Sequence, residues 1–173
     1  MARPPQPRPT LVQPENESIR YIALTRGKIA VVDTCNYEKL NAVTWRADKR
    51  PKSQGVKFVA RSDEGLMHRI ILGITDPKIE VDHWNGDTLD NRTDNLRIAT
   101  RGQNSMNVGA KSHSKTKIKG VEKTPFGTYT ARIRANNKRY YLGTFGSPTA
   151  AAQAYNAAAI QHHGEFAKIN TIT

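Results

Sequence analysis

The chain has 173 residues, enough for one or two small domains. Its 27 Lys and Arg against 15 Asp and Glu give a formal net charge of +12, which favours a polyanionic partner. A single cysteine, Cys35, excludes an intramolecular disulfide and a Cys-x-x-Cys zinc site. No apolar run reaches the length of a membrane span, no signal segment opens the chain, and no long basic amphipathic helix suggests a membrane surface. The expectation is a soluble, intracellular protein, monomer or weak dimer, with no membrane and no disulfide partner.

Residues 1–16 are Pro-rich, with Pro4, Pro5, Pro7, Pro9 and Pro14, and predict a disordered, partly extended tail whose Arg3 and Arg8 are solvated. From Ile19 the pattern turns to short strands. Residues 21–24 and 29–32 read as a hairpin around Arg26-Gly27, and residues 37–40 as a helical turn. Trp45 opens another strand. Residues 56–61 alternate apolar and basic, the pattern of a half-buried strand. After a turn at 62–65, residues 66–72 (LMHRIIL) lead into the most informative stretch.

That stretch is residues 81–107, VDHWNGDTLDNRTDNLRIATRGQNSMN. The apolar approach at 79–81 ends on Asp82-His83; a loop rich in Gly, Asn and Asp follows, then the short apolar run 96–99. Thr100 and Gln103 form a capping-box pattern, so the order is strand, long loop, strand, helix. Asn95 lies twelve positions after His83, and Asn104 nine after Asn95. The residue types suit phosphodiester hydrolysis, which needs a base for water and a cation to offset developing charge. His83 titrates near neutrality, and Asp82 and Asn104 offer the hard oxygen donors that Mg²⁺ takes with water and phosphate. Asp87, Asp90, Asn91 and Asp94 read as ordinary turn chemistry. An EF-hand is ruled out, because it needs Asp five residues before its Gly, and Val81 stands there before Gly86.

These words in order, MHRIIL, DH, NGD, LDNR, DNLR and QN, resemble HNH (ββα-metal) homing-type endonucleases of the phage family, in a variant whose last His is Asn. The resemblance implies His83 as general base, Asn95 as the residue that orients it, and Asp82 and Asn104 as ligands of Mg²⁺ or another divalent cation such as Mn²⁺. His68 and Arg69 are secondary candidates near the site. The preceding β-rich stretch resembles the N-terminal module of the same family, and its expected role is packing support.

Residues 108–116 are small, polar and basic, a linker composition that includes a solvated His113. Beyond it, 118–121 reads as a first strand, 124–127 as a turn, 129–134 as a second strand, Asn136-Asn137 as a turn and 138–144 as a third strand. Ser147 and Pro148 then cap a helix that Gly164 stops. Ala150, Ala151, Ala154, Ala157 and Ala158 form a small-residue stripe on it. From Arg97 to Leu142 eleven Lys or Arg face one acid, Glu122, whereas from Asp76 to Asp94 six acids face two bases. Arg132 and Arg134 project to one side of their strand, opposite Ile133. The words KGV at 119–121, Phe126-Gly127, YLGTF at 141–145 and the alanine-rich helix resemble the Apetala-type, ethylene-response-factor DNA-binding domain. That resemblance implies contact of Lys119, Arg134 and Tyr141 with DNA. Phe126 replaces the family's Trp, and Glu122, Thr124 and Thr128 replace basic residues, so the plant target sequence does not carry over.

The fold class expected is α+β: a ββα-metal HNH module followed by a three-stranded antiparallel sheet packed on one helix. The divisions expected are a tail at 1–16, a nuclease module at 17–108, a linker at 109–115 and a DNA-binding domain at 116–171. The expected activity is metal-dependent cleavage of double-stranded DNA, with Lys119, Arg132, Arg134 and Tyr141 on the DNA. Two alternatives stand beside it. One is a sequence-specific DNA-binding regulator on a non-catalytic HNH scaffold. The other is an RNA binder that stacks bases on Phe126, Tyr129, Tyr140 and Tyr141.

Overall fold

The computed structural model describes residues 9–52 and 55–172. The chain divides into two compact units, one comprising Met1–Arg50 and Val56–Ile98, the other Pro51–Gly55 and Ala99–Thr173. The fold is mixed α and β, with small sheets and few helices.

In the first unit, β1 (Ile19–Ala23) and β2 (Ile29–Asp33) form an antiparallel hairpin in which Tyr21 faces Val31 and Ile22 faces Ala30. The hairpin reverses through Arg26 and Gly27, both near φ +60°, as the Arg-Gly pair predicts. Helix α1 (Thr34–Asn41) follows, then β3 (Arg46–Lys52), β4 (Gly55–Ser62) and β5 (Gly65–Leu66), which make one three-stranded sheet. Helix α2 (Met67–Ile71) leads to β6 (Glu80–His83), which pairs with β7 (Leu96–Ala99) in a two-stranded sheet. Alternate residues of the hairpin, Ile22, Leu24, Ala30 and Val32, enter a core completed by Leu40, Trp45, Ala60 and Met67. The Trp45 indole N–H donates to the Leu40 carbonyl at 2.7 Å, so the ring's polar edge is satisfied inside the core.

The part of the Pro-rich tail at residues 1–8, with Arg3 and Arg8, lies outside the described residues. The rest of it is tied down further than its composition suggests. The Gln13 carboxamide donates to the Tyr21 carbonyl at 3.2 Å and accepts from the Tyr21 N–H at 2.8 Å. A side chain thus pairs with backbone groups of β1, which a composition argument does not see.

The second unit opens with α3 (Arg101–Met106). The capping box is present in full: Thr100 Oγ1 accepts the Gln103 N–H at 3.2 Å, and the Gln103 side-chain Oε1 accepts the Thr100 N–H at 2.9 Å. Residues 107–120 hold neither helix nor strand. Strands β8 (Val121–Lys123), β9 (Tyr129–Ala135) and β10 (Lys138–Phe145) form an antiparallel sheet with β9 central, and α4 (Pro148–His163) packs on it. Asn136 and Asn137, at φ 49° and 60°, make the left-handed two-residue turn that joins β9 to β10. Ser147 Oγ caps α4 on the Ala150 N–H at 3.2 Å, Pro148 takes the first turn, and Gly164 ends it at φ 53°.

Two expectations shift in this unit. The first strand begins at Val121 rather than Ile118, because Lys117 (φ 55°) and Gly120 (φ 74°) turn the chain just before it. The buried face of α4 is Ala151, Ala152, Tyr155, Ala158, Ala159 and His163, while Ala157 faces solvent. The stripe is rotated so that Tyr155, the one large side chain, lies at its centre.

Tyr155 explains Gly120. A Cβ on Gly120 would stand 2.1 Å from the Tyr155 ring and 2.6 Å from the Arg132 carbonyl oxygen, at a φ that L-residues resist. Gly120→Ala is therefore expected to destabilise the second unit by roughly 2–4 kcal/mol. Thermal unfolding followed by circular dichroism reads this directly; an unshifted melting temperature would contradict the close approach.

Candidate active site

The site is built on the end of β6 and the loop behind it. Asp82 and His83 close the strand and are 5% and 4% exposed. Neighbouring residues of a strand point to opposite sides, so each is buried by different surroundings. Asp82 meets β7: its Oδ2 accepts from Arg97 Nε at 2.9 Å and Nη2 at 2.7 Å, and the Arg97 side chain is only 16% exposed. His83 meets α2 and the loop. Its ring stands edge-on to His68, with centroids 5.1 Å apart and planes at 89°.

Residues 84–95 would be costly to bury without partners for their polar groups, and they supply those partners themselves. Asp90 holds the guanidinium of Arg92 through both carboxylate oxygens, at 2.8 and 2.7 Å, and Oδ2 also accepts from Asn85. Asn95 accepts the Asn85 N–H at 2.9 Å and donates to the Asp90 carbonyl at 2.7 Å. The Trp84 N–H donates to the Asn95 carbonyl at 2.9 Å, and the Gly86 N–H to the His83 carbonyl at 2.8 Å. The loop is also fastened to β2: Val31 N–H to Leu89 O at 2.9 Å, Asn91 N–H to Val31 O at 2.7 Å, and the Asp33 carboxylate to both polar groups of Thr93.

Burial holds the His83 imidazole below the ordinary histidine range, although Asn91 and the carboxylates of Asp82, Asp87 and Asp90 pull the other way. The ring is therefore neutral at pH 7. Asn91 is 0% exposed; its Nδ2 donates to the Leu89 carbonyl, and its Oδ1 is buried without a well-formed hydrogen bond, beside His83. His68 is lowered further, to about 3, by burial and then by His83, Arg69 and Arg61, and its Nδ1 is likewise buried without a partner.

The structure thus brings Asp82, His83 and His68 together in the first unit. It places Asn95 in the loop, where both ends of its carboxamide serve loop backbone, and it brings the Asn91 side chain close enough to raise the His83 imidazole. Arg69 clamps the connection from α2 to β6, donating to Ile79 O and Asp76 O at 2.6 Å each. Asn104 lies on α3, in the second unit. Two residues escaped the sequence argument. Asn91 looked like turn chemistry, and Arg97 looked like one cation among eleven. Pairing of β7 with β6 is what gives Arg97 its carboxylate.

Taken by chemistry alone, the Asp82 carboxylate of the first unit is a hard oxygen donor of the kind a divalent cation takes, and so, separately, is the Asn104 carboxamide of the second. Among the described residues no three His, Cys, Asp or Glu gather to hold a metal. Such a site would lean on water and substrate oxygen, as Mg²⁺ sites do, and a metal would share Asp82 with Arg97.

The outer face of the second unit's sheet carries the remaining candidates. Arg132 and Arg134 are exposed on β9 opposite Tyr141 and Arg139 of β10. Tyr141 is 63% exposed, with its hydroxyl 2.9 Å from Thr144 Oγ1. Arg132 pairs with Glu122 at 3.1 Å. Lys119 differs: burial lowers its ammonium to about 8, and the group donates to the Met106 carbonyl at the end of α3.

Residues 67–106 match the model of a family described as HNH endonuclease. An uncharacterized HNH endonuclease of Acanthamoeba polyphaga mimivirus is 40% identical over 103 residues, which are 60% of this chain and 53% of that protein. Ethylene-responsive transcription factor 3 of Nicotiana tabacum is 42% identical over 64 residues, 36% of this chain and 28% of that protein. An AP2/ERF and B3 domain-containing protein of Oryza sativa subsp. japonica is 36% identical over 66 residues, 38% of this chain and 18% of that protein. The chain thus spans about half the length of the viral relative and less of the plant ones.

Two stability predictions follow from the burial. Arg97→Ala strips the buried Asp82 carboxylate of both guanidinium bonds and is expected to cost about 3 kcal/mol in urea unfolding. His68 is a base with a depressed folded pKa, so the unfolded chain takes up a proton below pH 6.5 that the folded chain refuses until about 3. Its contribution is complete above pH 6.5 and is lost as the pH falls, at about 1.4 kcal/mol per pH unit. Urea unfolding at pH 5 and pH 7 should show this loss, and His68→Phe should reduce it.

Proposed function

We propose that the protein is a metal-dependent DNA endonuclease in which His83 is the general base. The observation that carries the proposal is a buried, neutral His83 at the end of β6, beside the Asp82 carboxylate, inside a segment that matches the HNH endonuclease family. A neutral imidazole accepts a proton from water as the water's oxygen bonds to phosphorus and the bond to the leaving sugar oxygen breaks. His68, packed edge-on, and Asn91, beside the ring, restrict how His83 can turn. Asn95 acts through the loop, because its backbone and side chain hold the residues that follow His83.

A divalent cation, Mg²⁺ or Mn²⁺, would supply charge stabilisation at the phosphate and leaving oxygen; the Asp82 carboxylate of the first unit is a donor of the type it takes, as is the Asn104 carboxamide that the resemblance names. Arg97 fixes the Asp82 carboxylate on the strand. In the second unit, Arg132, Arg134 and Tyr141 present cations and a ring from one sheet face, which suits phosphate and groove contacts. Lys119, expected among them, donates to the Met106 carbonyl at the end of α3. The divisions proposed are a nuclease module at 17–108, a linker at 109–115 and a DNA-binding domain at 116–171. The alanine-helix sheet unit and the AP2/ERF relatives support duplex DNA as partner.

The regulator reading draws on one observation, the Arg97 bonds that occupy an oxygen of Asp82. It predicts binding without cleavage. Supercoiled plasmid incubated with Mg²⁺ separates the two. We expect nicking that EDTA stops and that His83→Ala reduces at least 1,000-fold while DNA retention persists. Retention without nicking by the unaltered protein, across a library of inserts, would favour the regulator. Retention should also weaken steeply with salt, and Arg134→Ala should lower the slope of log K against log salt by about 1.

A further inference from the structure

Between the β1–β2 turn, strand β4 and the loop after His83, the first unit opens a cleft of about 220 Å³. Its floor is apolar: Phe58 and Leu89 pack on the unit's hydrophobic core, and Val56 stands half-exposed beside them. Its charged groups are two ammoniums and one carboxylate, those of Lys28, Lys57 and Asp87. Lys28 is exposed and lays its ammonium over the Phe58 ring, 5.1 Å from the centroid. The hairpin turn fixes the backbone beneath it, because the Lys28 N–H donates to the Thr25 carbonyl and its carbonyl accepts from the Leu24 N–H. Lys57 donates to the Gly86 carbonyl, and Asp87 turns one oxygen back onto the Leu89 N–H at 3.0 Å. Thr88 ties the loop to β4 by donating to the Phe58 carbonyl at 2.6 Å. Cations that outnumber anions around a low-dielectric wall concentrate their field on an anionic ligand.

The cleft also stands beside the candidate general base. Gly86, whose carbonyl holds Lys57, donates its own N–H to the His83 carbonyl at 2.8 Å, and the Asp87 carboxylate is near enough to act on the His83 imidazole. We propose that this cleft is a subsite for one sugar–phosphate unit of the DNA strand that is cut, with the phosphate against Lys28 and Lys57 and the deoxyribose against Val56, Phe58 and Leu89. The inference rests on the nuclease reading above, and it gives the β-rich N-terminal stretch a share in holding substrate. Successive phosphates of one strand rise by only about 3.4 Å along a duplex. A strand whose scissile phosphate reaches His83 therefore carries a neighbouring unit past residues 86–89. Ammonium groups take phosphate as point charges and read no base, so the subsite positions the strand without selecting its sequence.

The full chain and its variants Lys28→Gln, Lys28→Arg, Lys57→Gln and Lys39→Gln are bound to duplex fragments of plasmid in EDTA over a range of salt. Lys39 is exposed on α1 and lines no part of the cleft, so its variant loses the same net charge elsewhere. Lys28→Gln is expected to weaken retention about fivefold near 0.1 M salt and to lower the slope of log K against log salt by about 1. Lys57→Gln is expected to move both in the same direction, whereas Lys28→Arg and Lys39→Gln stay within about twofold of the unaltered protein. With Mg²⁺, the loss of nicking by Lys28→Gln is expected in KM, with kcat within about twofold. Circular dichroism confirms that the variants fold. An unchanged slope in both glutamine variants of the cleft, or an equal loss in Lys39→Gln, overturns the inference and leaves the nuclease reading standing. A loss confined to kcat also overturns it, because Lys28 would then act by shaping the loop behind His83. If the unaltered protein neither retains nor nicks plasmid, the nuclease reading falls and the subsite falls with it.

Discussion

The constraint on which the first unit depends is the burial of a polar loop. Residues 84–95 are rich in Asn, Asp and Gly, a composition that ordinarily belongs at the surface, yet Asp90, Asn91 and Asn95 are almost wholly enclosed. Burial of such groups costs free energy unless each finds a partner. The loop meets that cost by pairing side chains with its own backbone and by hydrogen bonding to β2 through Val31 and Asp33. The result is a stiff wall behind His83. The same burial that encloses the wall holds the His83 imidazole below the ordinary histidine range.

The second unit solves a different problem. Its helix offers mostly alanines, which contribute little area each but permit a close approach to the sheet. One large ring, Tyr155, fills the centre, with Ile133, Ala158 and Ala159 around it. That arrangement leaves no room beside Gly120, which is why the turn before β8 must be glycine. Asn170 then locks the turn from the other side, accepting from the Lys119 N–H and donating to its carbonyl, while Asn156 holds Asn170 through both backbone groups. Small residues and paired amides do here what a large apolar core does in bigger domains.

The charges divide by the same logic. The cations on the open face of the β9–β10 hairpin, Arg132 and Arg134, stay exposed, Arg132 in a surface pair with Glu122. Cations that reach inward, Arg97 and Lys119, are spent on a carboxylate and on a helix-end carbonyl. A net charge therefore overstates the phosphate-binding surface, and the count that matters is of cations left on one face.

Much was legible in the sequence because it depends on local chemistry. The capping box at Thr100, the Ser147-Pro148 start of α4, its Gly164 stop and the Asn136-Asn137 turn are decided by a few neighbouring residues. What tertiary structure alone decided is which side chains meet across elements. Which backbone groups the Asn95 carboxamide serves, the Asn85 N–H and the Asp90 carbonyl, is a matter of how the loop folds and not of spacing. Arg97 finds Asp82 only when β7 lies against β6, and Lys119 finds Met106 only when the linker folds back. Periodicity showed that α4 had an apolar stripe, but the fit of Tyr155 over Gly120 set its rotation. Local propensity is written along the chain; partners distant in sequence are chosen by the requirement that every buried polar group and every void be filled.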